Sequence, residues 1–382
     1  MASAEDALAE AFAAALKDWP VSGVPDNPEG WLFTAAKRRL IDAARRGKSA
    51  QDSAATLALL GEEAAGLGDD GEGIPDRRLA LMFACAHPAI DPAIRAPLMM
   101  QAVLGLDAAA IGSAFLVAPA AMGQRLSRAK AKIRDAGVPF RVPASEDWPE
   151  RIDAVLEAIY GAFSLGWDES FAAYPGGREL AQEAVWLARV VAALAHDDPE
   201  ALGALSLMLH AQARRPARRD GAGGYVPLSE QDTALWDSRA IGEAEALLRA
   251  AGRLERPGRF QFEAAIQSAH AARRFGGVVD WAAIAWLYGR LAALAPSSIV
   301  TVNWAVAKAN AGDVPAGLAM LAQVEAAGGL QEFQSFWAAK AELCARAGEV
   351  VAARAAYQRA IGLESDPAVQ AHLSRRRSLI AQ

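Results

Sequence analysis

Apolar residues recur at spacings of three and four along most of this chain, while period-2 runs rich in Val, Ile and Thr are nearly absent. A strand turns alternate side chains to opposite faces, so this spacing can gather its apolar residues onto one stripe only by coiling into helices. The chain is therefore expected to be all-α. With 382 residues it has room for two to three domains, and 53% hydrophobic with 22% charged residues is the composition of a packed globular protein. Its two cysteines, Cys85 and Cys344, stand too far apart in sequence for a disulfide framework, which points to a reduced, cytoplasmic setting. No run approaches the ~20 apolar residues of a membrane span, and no membrane partner is expected.

The net charge of −6 conceals a segregation. Residues 1–48 hold 7 basic and 7 acidic side chains, 49–76 hold none and 7, 77–141 hold 9 and 3, and 142–382 hold 23 and 28. Screening confines each charge to a reach of ~10 Å, so the basic segment 77–141 can meet a polyanion although the chain is acidic overall.

Four segments follow. In the first, Leu8, Phe12, Leu16 and Trp19 form a stripe ended by Pro20. A second helix opens with Asn27 as cap, Pro28 at the first helical position and Glu29 at the positive dipole end, and it is expected to run to about Arg46. On it Lys37, Arg38, Arg45 and Lys48 share an arc of about 100° beside Asp42, while Trp31 sits on the apolar side and reads as core. Residues 49–76, rich in Gly and acid, read as a solvated linker, briefly helical at most over Thr56–Glu63. A further break is expected near Val138–Asp147, at Gly137, Pro139 and Pro143.

Within 77–141, Asp107 is expected to cap a short helix whose Ile111 and Phe115 face inward. Leu116–Ala118 supply a tight turn, and Pro119 opens a longer helix. On that helix Met122, Leu126, Ala129 and Ile133 fall on one side, and Arg125, Arg128 and Lys132 share a neighbouring face with Ala121 and Gln124. Small residues near the N-terminus and flanking arginines suit a DNA recognition helix, while the charge pattern alone fits a solvated basic helix equally well.

In the last segment Trp337, Ala341, Gly348, Ala353, Tyr357 and Ala360 keep the spacing of a 34-residue tetratricopeptide-like repeat, clearest over 281–367. Ala305, Gly312 and Leu321 repeat part of it, and Tyr288, Leu291 and Pro296 look like a closing half. An ordinary α-hairpin bundle is the alternative. Arg214, Arg215, Arg218 and Arg219 form the densest cationic run here. Asp220, Glu230, Asp232 and Asp237 follow closely; ion pairing inside the extension is its leading explanation, and an anion or ligand site the second. Cys85 and His87 lack the second ligand pair that zinc requires and read as core. Gly176–Gly177 and Gly221–Gly224 lack the Lys-Ser/Thr ending of a phosphate loop, and no Ser, Cys or Asp stands beside a histidine in a motif that suggests an activated nucleophile, so neither enzyme, metal nor cofactor is expected.

The run Asp91–Ala136, with IGSAFLVAPAAMGQRLSRAKAKIRDAG at its centre, resembles region 4 of the extracytoplasmic-function (ECF) sigma factors. AEDALAEAFAAALKDW resembles their region 2.2 helix, and WLFTAAKRRLIDAARR their regions 2.3 and 2.4. RLALMFACAHPAI, AKIRDAGVPFRVP, ARRPARRDG and LSEQDTALWD are similar to the ECF subgroup with a long tetratricopeptide-like C-terminal extension. The chain departs from the family at Ala9, where Gln is frequent, and at Arg38, where Asn is frequent. It also begins after the family's first region 2 helix, so region 2 is read as partial.

The resemblance implies a transcription initiation factor whose partners are core RNA polymerase and promoter DNA. Asp6 and Glu10 would meet the polymerase, Lys37, Arg38, Arg45 and Lys48 the minus-ten element, and Ala121, Gln124, Arg125, Arg128 and Lys132 the minus-thirty-five element. The extension would regulate or support the complex and hold a protein partner or ligand. The alternative is a helical-repeat scaffold carrying a degenerate sigma module.

Overall fold

The computed structural model describes residues 74–136, 141–167 and 177–380. Among them the chain is all-helical, with fifteen α-helices, short 3-10 turns and no strand. It divides into two compact units, Met1–Gly161 and Ala162–Gln382. The first two expected helices and the expected linker lie outside the described residues, apart from Ile74–Asp76.

In the first unit, α1 (Arg77–Cys85), α2 (Pro92–Ala102), α3 (Ala108–Ala114) and α4 (Pro119–Asp135) enclose one core. Leu79, Met82, Phe83, Leu98, Met99, Met100, Ile111, Met122 and Leu126 are all buried in it. The helix starts are set by short acids: the carboxylates of Asp76, Asp91 and Asp107 accept from the first free amides of α1, α2 and α3. Arg95 closes the α1–α2 loop, donating to the carbonyls of Ile90 (2.8 Å) and Pro88 (2.9 Å).

This unit extends past the composition break at Pro139–Pro143. The Trp148 ring lies 5.5 Å from that of Phe83, and Arg151 donates to the Phe83 carbonyl (3.1 Å) near the C-terminus of α1, where four carbonyls lack intrahelical partners. The next helix, α5 (Ile152–Trp167), begins in this unit, where a Cβ on Gly161 would stand 3.1 Å from the Met100 sulfur.

The second unit is built around α7 (Pro199–Ala213), which follows α6 (Gly177–Leu194). Residues 201–210 of α7 are buried without interruption, so it is a central helix apolar on every side. It packs against α6, α8 (Ser238–Gly252) and α9 (Arg259–Ala271), closely enough that a Cβ on Gly203 would come within 2.8 Å of the Gln261 backbone nitrogen. The intervening loop folds on buried Trp236, whose Nε1 donates to Gln231 (3.2 Å). Arg273 anchors it by donating to the carbonyls of Leu228 and Ser229.

Beyond lie α10 (Trp281–Leu294), α11 (Ser298–Asn310), α12 (Val314–Ala327), α13 (Gln334–Arg346), α14 (Val350–Leu363) and α15 (Pro367–Leu379). The pair α11–α12 and the pair α13–α14 start 36 residues apart, and each is joined through a glycine of positive φ, Gly312 and Gly348. Ala305, Ala341, Ala353 and Ala360 are buried where small side chains let helix axes approach, and Leu321 and Tyr357 are buried with them.

Candidate nucleic-acid interface

Four residues set the turn between α3 and α4. The Val117 amide donates to the Gly112 carbonyl (2.8 Å), folding the chain back so tightly that a Cβ on Gly112 would meet the Val117 oxygen at 2.5 Å. Leu116 adopts φ +52°, a left-handed conformation that costs a leucine roughly 1–2 kcal/mol. Pro119 then opens α4, its missing N–H lying where no partner exists. Gly112 was not singled out in the sequence; the signal was a glycine inside a short alanine-rich helix just before an apolar turn.

Met122, Leu126 and Ile133 are buried and hold α4 on the unit's core. Ala129 and Ala121 are half-buried, as is Phe115. Gln124, Arg125, Arg128 and Lys132 are exposed, and the three cations hold no ion pair among the described residues. From Arg125 to Lys132 the helix advances about 10 Å, a row suited to successive phosphates. Unlike α1–α3, α4 has no side chain on its first amides, since its N-cap is Ala118. Its positive end is therefore open beside Ala121 and Gln124. The structure thus brings five sequence-predicted residues onto one helix. Asp6, Glu10, Lys37, Arg38, Arg45 and Lys48 lie outside the described residues.

The remaining candidates have clear roles. Cys85 is buried, its thiol pushed up to about 12 by desolvation, and His87 Nδ1 accepts from the Ala89 amide (3.1 Å). The arginine run meets the expected ion pairing within the extension at one residue, though not through the acids next to it in sequence. Arg219 pairs with Asp366, far along the chain. Asp220, Asp232 and Asp237 instead accept from local amides, at Ala222 and Gly224, at Ala234, and at Arg239 and Ala240. Short acids that follow an arginine in sequence are here consumed as turn and helix caps, which outcompete a long, solvated side-chain partner.

Residues 1–50 match the family described as Sigma-70 region 2, and residues 151–252 match a family of unknown function, DUF6596. An uncharacterized protein of Rhizobium meliloti (strain 1021) is 36% identical over 375 residues, covering 97% of this chain and 88% of the relative. No solved structure matches. A sigma region at the N-terminus makes the chain sigma-factor-like. Among the described residues no helix is long and apolar enough to cross a membrane.

Proposed function

Because the chain belongs to one family with the Rhizobium meliloti protein and carries a sigma-70 region 2, we propose that it directs core RNA polymerase to promoters and initiates transcription. In this reading region 2 opens the minus-ten element through Lys37, Arg38, Arg45 and Lys48, and Asp6 and Glu10 contact the polymerase. The α3–α4 pair acts as region 4, with Ala121 and Gln124 toward base edges and Arg125, Arg128 and Lys132 toward the minus-thirty-five backbone. The observation that carries the reading is the exposed cationic row of α4, seated on a packed apolar face, in the same chain as a sigma region. The C-terminal helices, proposed to be tetratricopeptide-like, support or regulate the complex.

The test is transcription in vitro by the full chain with core polymerase and randomised promoter DNA. Enrichment of a two-part promoter, with the upstream part lost in Arg125→Ala, is the expected result. Absence of polymerase binding would leave a helical scaffold with a degenerate sigma module.

A further inference from the structure

The two faces of α10 have opposite surroundings. Ile284, Ala285 and Leu291 are buried in a core that also holds Ile266 of α9 and Ala307 of α11. The other face carries Ala282, Trp286, Arg290, Ala293 and Leu294, all of them exposed. At 100° per residue these five fall within an arc of about 120°, with Trp286 lying between the two alanines and Arg290. Trp286 is 62% exposed and Leu294 50%, and Trp286 stands outside the core against which Trp281, Leu287 and Tyr288 pack. Apolar exposure continues in the preceding loop, where Phe275 is 67% and Val278 87% exposed. An indole carries the largest apolar area of any side chain, so holding it in water forfeits more hydrophobic stabilisation than any other exposure on this helix.

Arg290 is the one charged residue on the stripe, and it makes no hydrogen bond or ion pair among the described residues. Asp280, exposed at the start of the helix, uses Oδ1 to accept from the Ala283 amide (2.9 Å). Ten residues, about 15 Å along the axis, separate it from Arg290, so the two do not meet within one helix. Tryptophan and arginine together on a face without Lys, Glu or Asp form the composition of an interface centre.

The stripe is complementary to itself. When a second copy of α10 is laid against it antiparallel, with both Trp286 residues nearest the twofold axis, Ala282 stands opposite the second copy's Arg290 and leaves it room. Side chains on a helix tilt toward its N-terminus, so each indole leans toward the other copy's Arg290, and each guanidinium toward the other copy's indole. Arginine over a tryptophan face is a favourable cation–π pair, and the twofold axis makes it twice. The second copy's Asp280 lies within one turn of that guanidinium and adds a charge of opposite sign.

We propose that α10 is a self-association surface, through which two copies of this chain pair antiparallel across Trp286. One helix face about 18 Å long presents less than the roughly 800 Å² per partner of a standard interface, so the dimer is weak and reversible. It depends neither on the sigma region nor on DNA.

The test is sedimentation velocity of the full chain, without DNA or polymerase, from micromolar to near-millimolar concentration. The average mass is expected to rise from that of one chain toward that of two. Trp286→Ala is expected to weaken association by about tenfold or more, the loss of a central aromatic anchor, with circular dichroism and melting temperature unchanged because the indole stands outside the core. Arg290→Glu, which sets an acid beside the second copy's Asp280, should weaken it as much. Arg354→Glu, an equal change of charge on an exposed position of α14, should leave it intact. A mass that stays that of one chain throughout, or a dimer that Trp286→Ala and Arg290→Glu leave unchanged, overturns the proposal.

Discussion

Single side chains divide here into those whose role follows from helical position and those whose role depends on distant neighbours. Arg125, Arg128 and Lys132 belong to the first group, since a 100° step per residue separates them from Met122 and Leu126 without reference to the rest of the fold. Arg125→Ala and Arg128→Ala are each expected to weaken duplex binding by ~1–3 kcal/mol where the contact is to a base edge. Where it is to phosphate, the salt slope should fall by about one unit. Titration by fluorescence anisotropy at several salt concentrations distinguishes these outcomes, and unchanged affinity in both variants would remove α4 as the recognition element. Arg214 and Arg215 belong to the second group. Their neighbours Gln267 and Trp167 lie some fifty residues away in either direction, and no local pattern announces them.

At the scale of elements the α3–α4 turn is the most demanding piece of local structure. An added methyl on Gly112 must displace the Val117 carbonyl, so Gly112→Ala is expected to destabilise the first unit by ~1–3 kcal/mol. Leu116→Gly relieves a left-handed leucine that is already 47% exposed. It is expected to stabilise by roughly 0.5–1 kcal/mol once the greater backbone freedom of glycine is offset. Urea unfolding followed by circular dichroism reads both, and shifts of the same sign would refute this account of the turn. The turn's position was legible, because Asp107 and Pro119 carry start signals that act within one helical turn. Its tightness was not, since that depends on the carbonyl of one residue meeting the Cα of another. In the C-terminal helices the pairing α11–α12 and α13–α14 followed from the buried alanines and the two turn glycines, all of them local signals.

For the whole molecule, packing places the edge of the first unit at Gly161, beyond the proline-rich break. A chain ending after Pro143 loses the Trp148–Phe83 contact and the Arg151 bond to the Phe83 carbonyl. It is expected to be less stable by roughly 2–4 kcal/mol than one ending after Gly161, as read by thermal melting. Equal stability would show that residues 144–161 only accompany the unit.

The second unit carries a pH dependence. His210 and His270 stay neutral when folded down to about pH 4, whereas unfolded they protonate near 6.5. The unfolded state therefore binds more protons between these values. Stability is complete above about 6.5 and falls as the pH drops toward 4, by on the order of 2 kcal/mol per histidine. Urea midpoints at pH 7.5 and 5 check this, and His210→Gln should flatten the difference; a midpoint that rises on acidification would refute it.

The helical class, the Asp107 cap and the basic face of α4 were determined by sequence alone, because periodicity, caps and breakers act within one turn of helix. The tertiary structure alone decided that Arg151 and Trp148 join the first unit, that the acids after Arg219 serve as caps, and that Arg214 and Arg215 are left with sealed, acceptor-free nitrogens. Each of these rests on which distant groups the fold brings within a few ångströms of a charge, and on whether water is excluded there, which spacing along a chain does not encode.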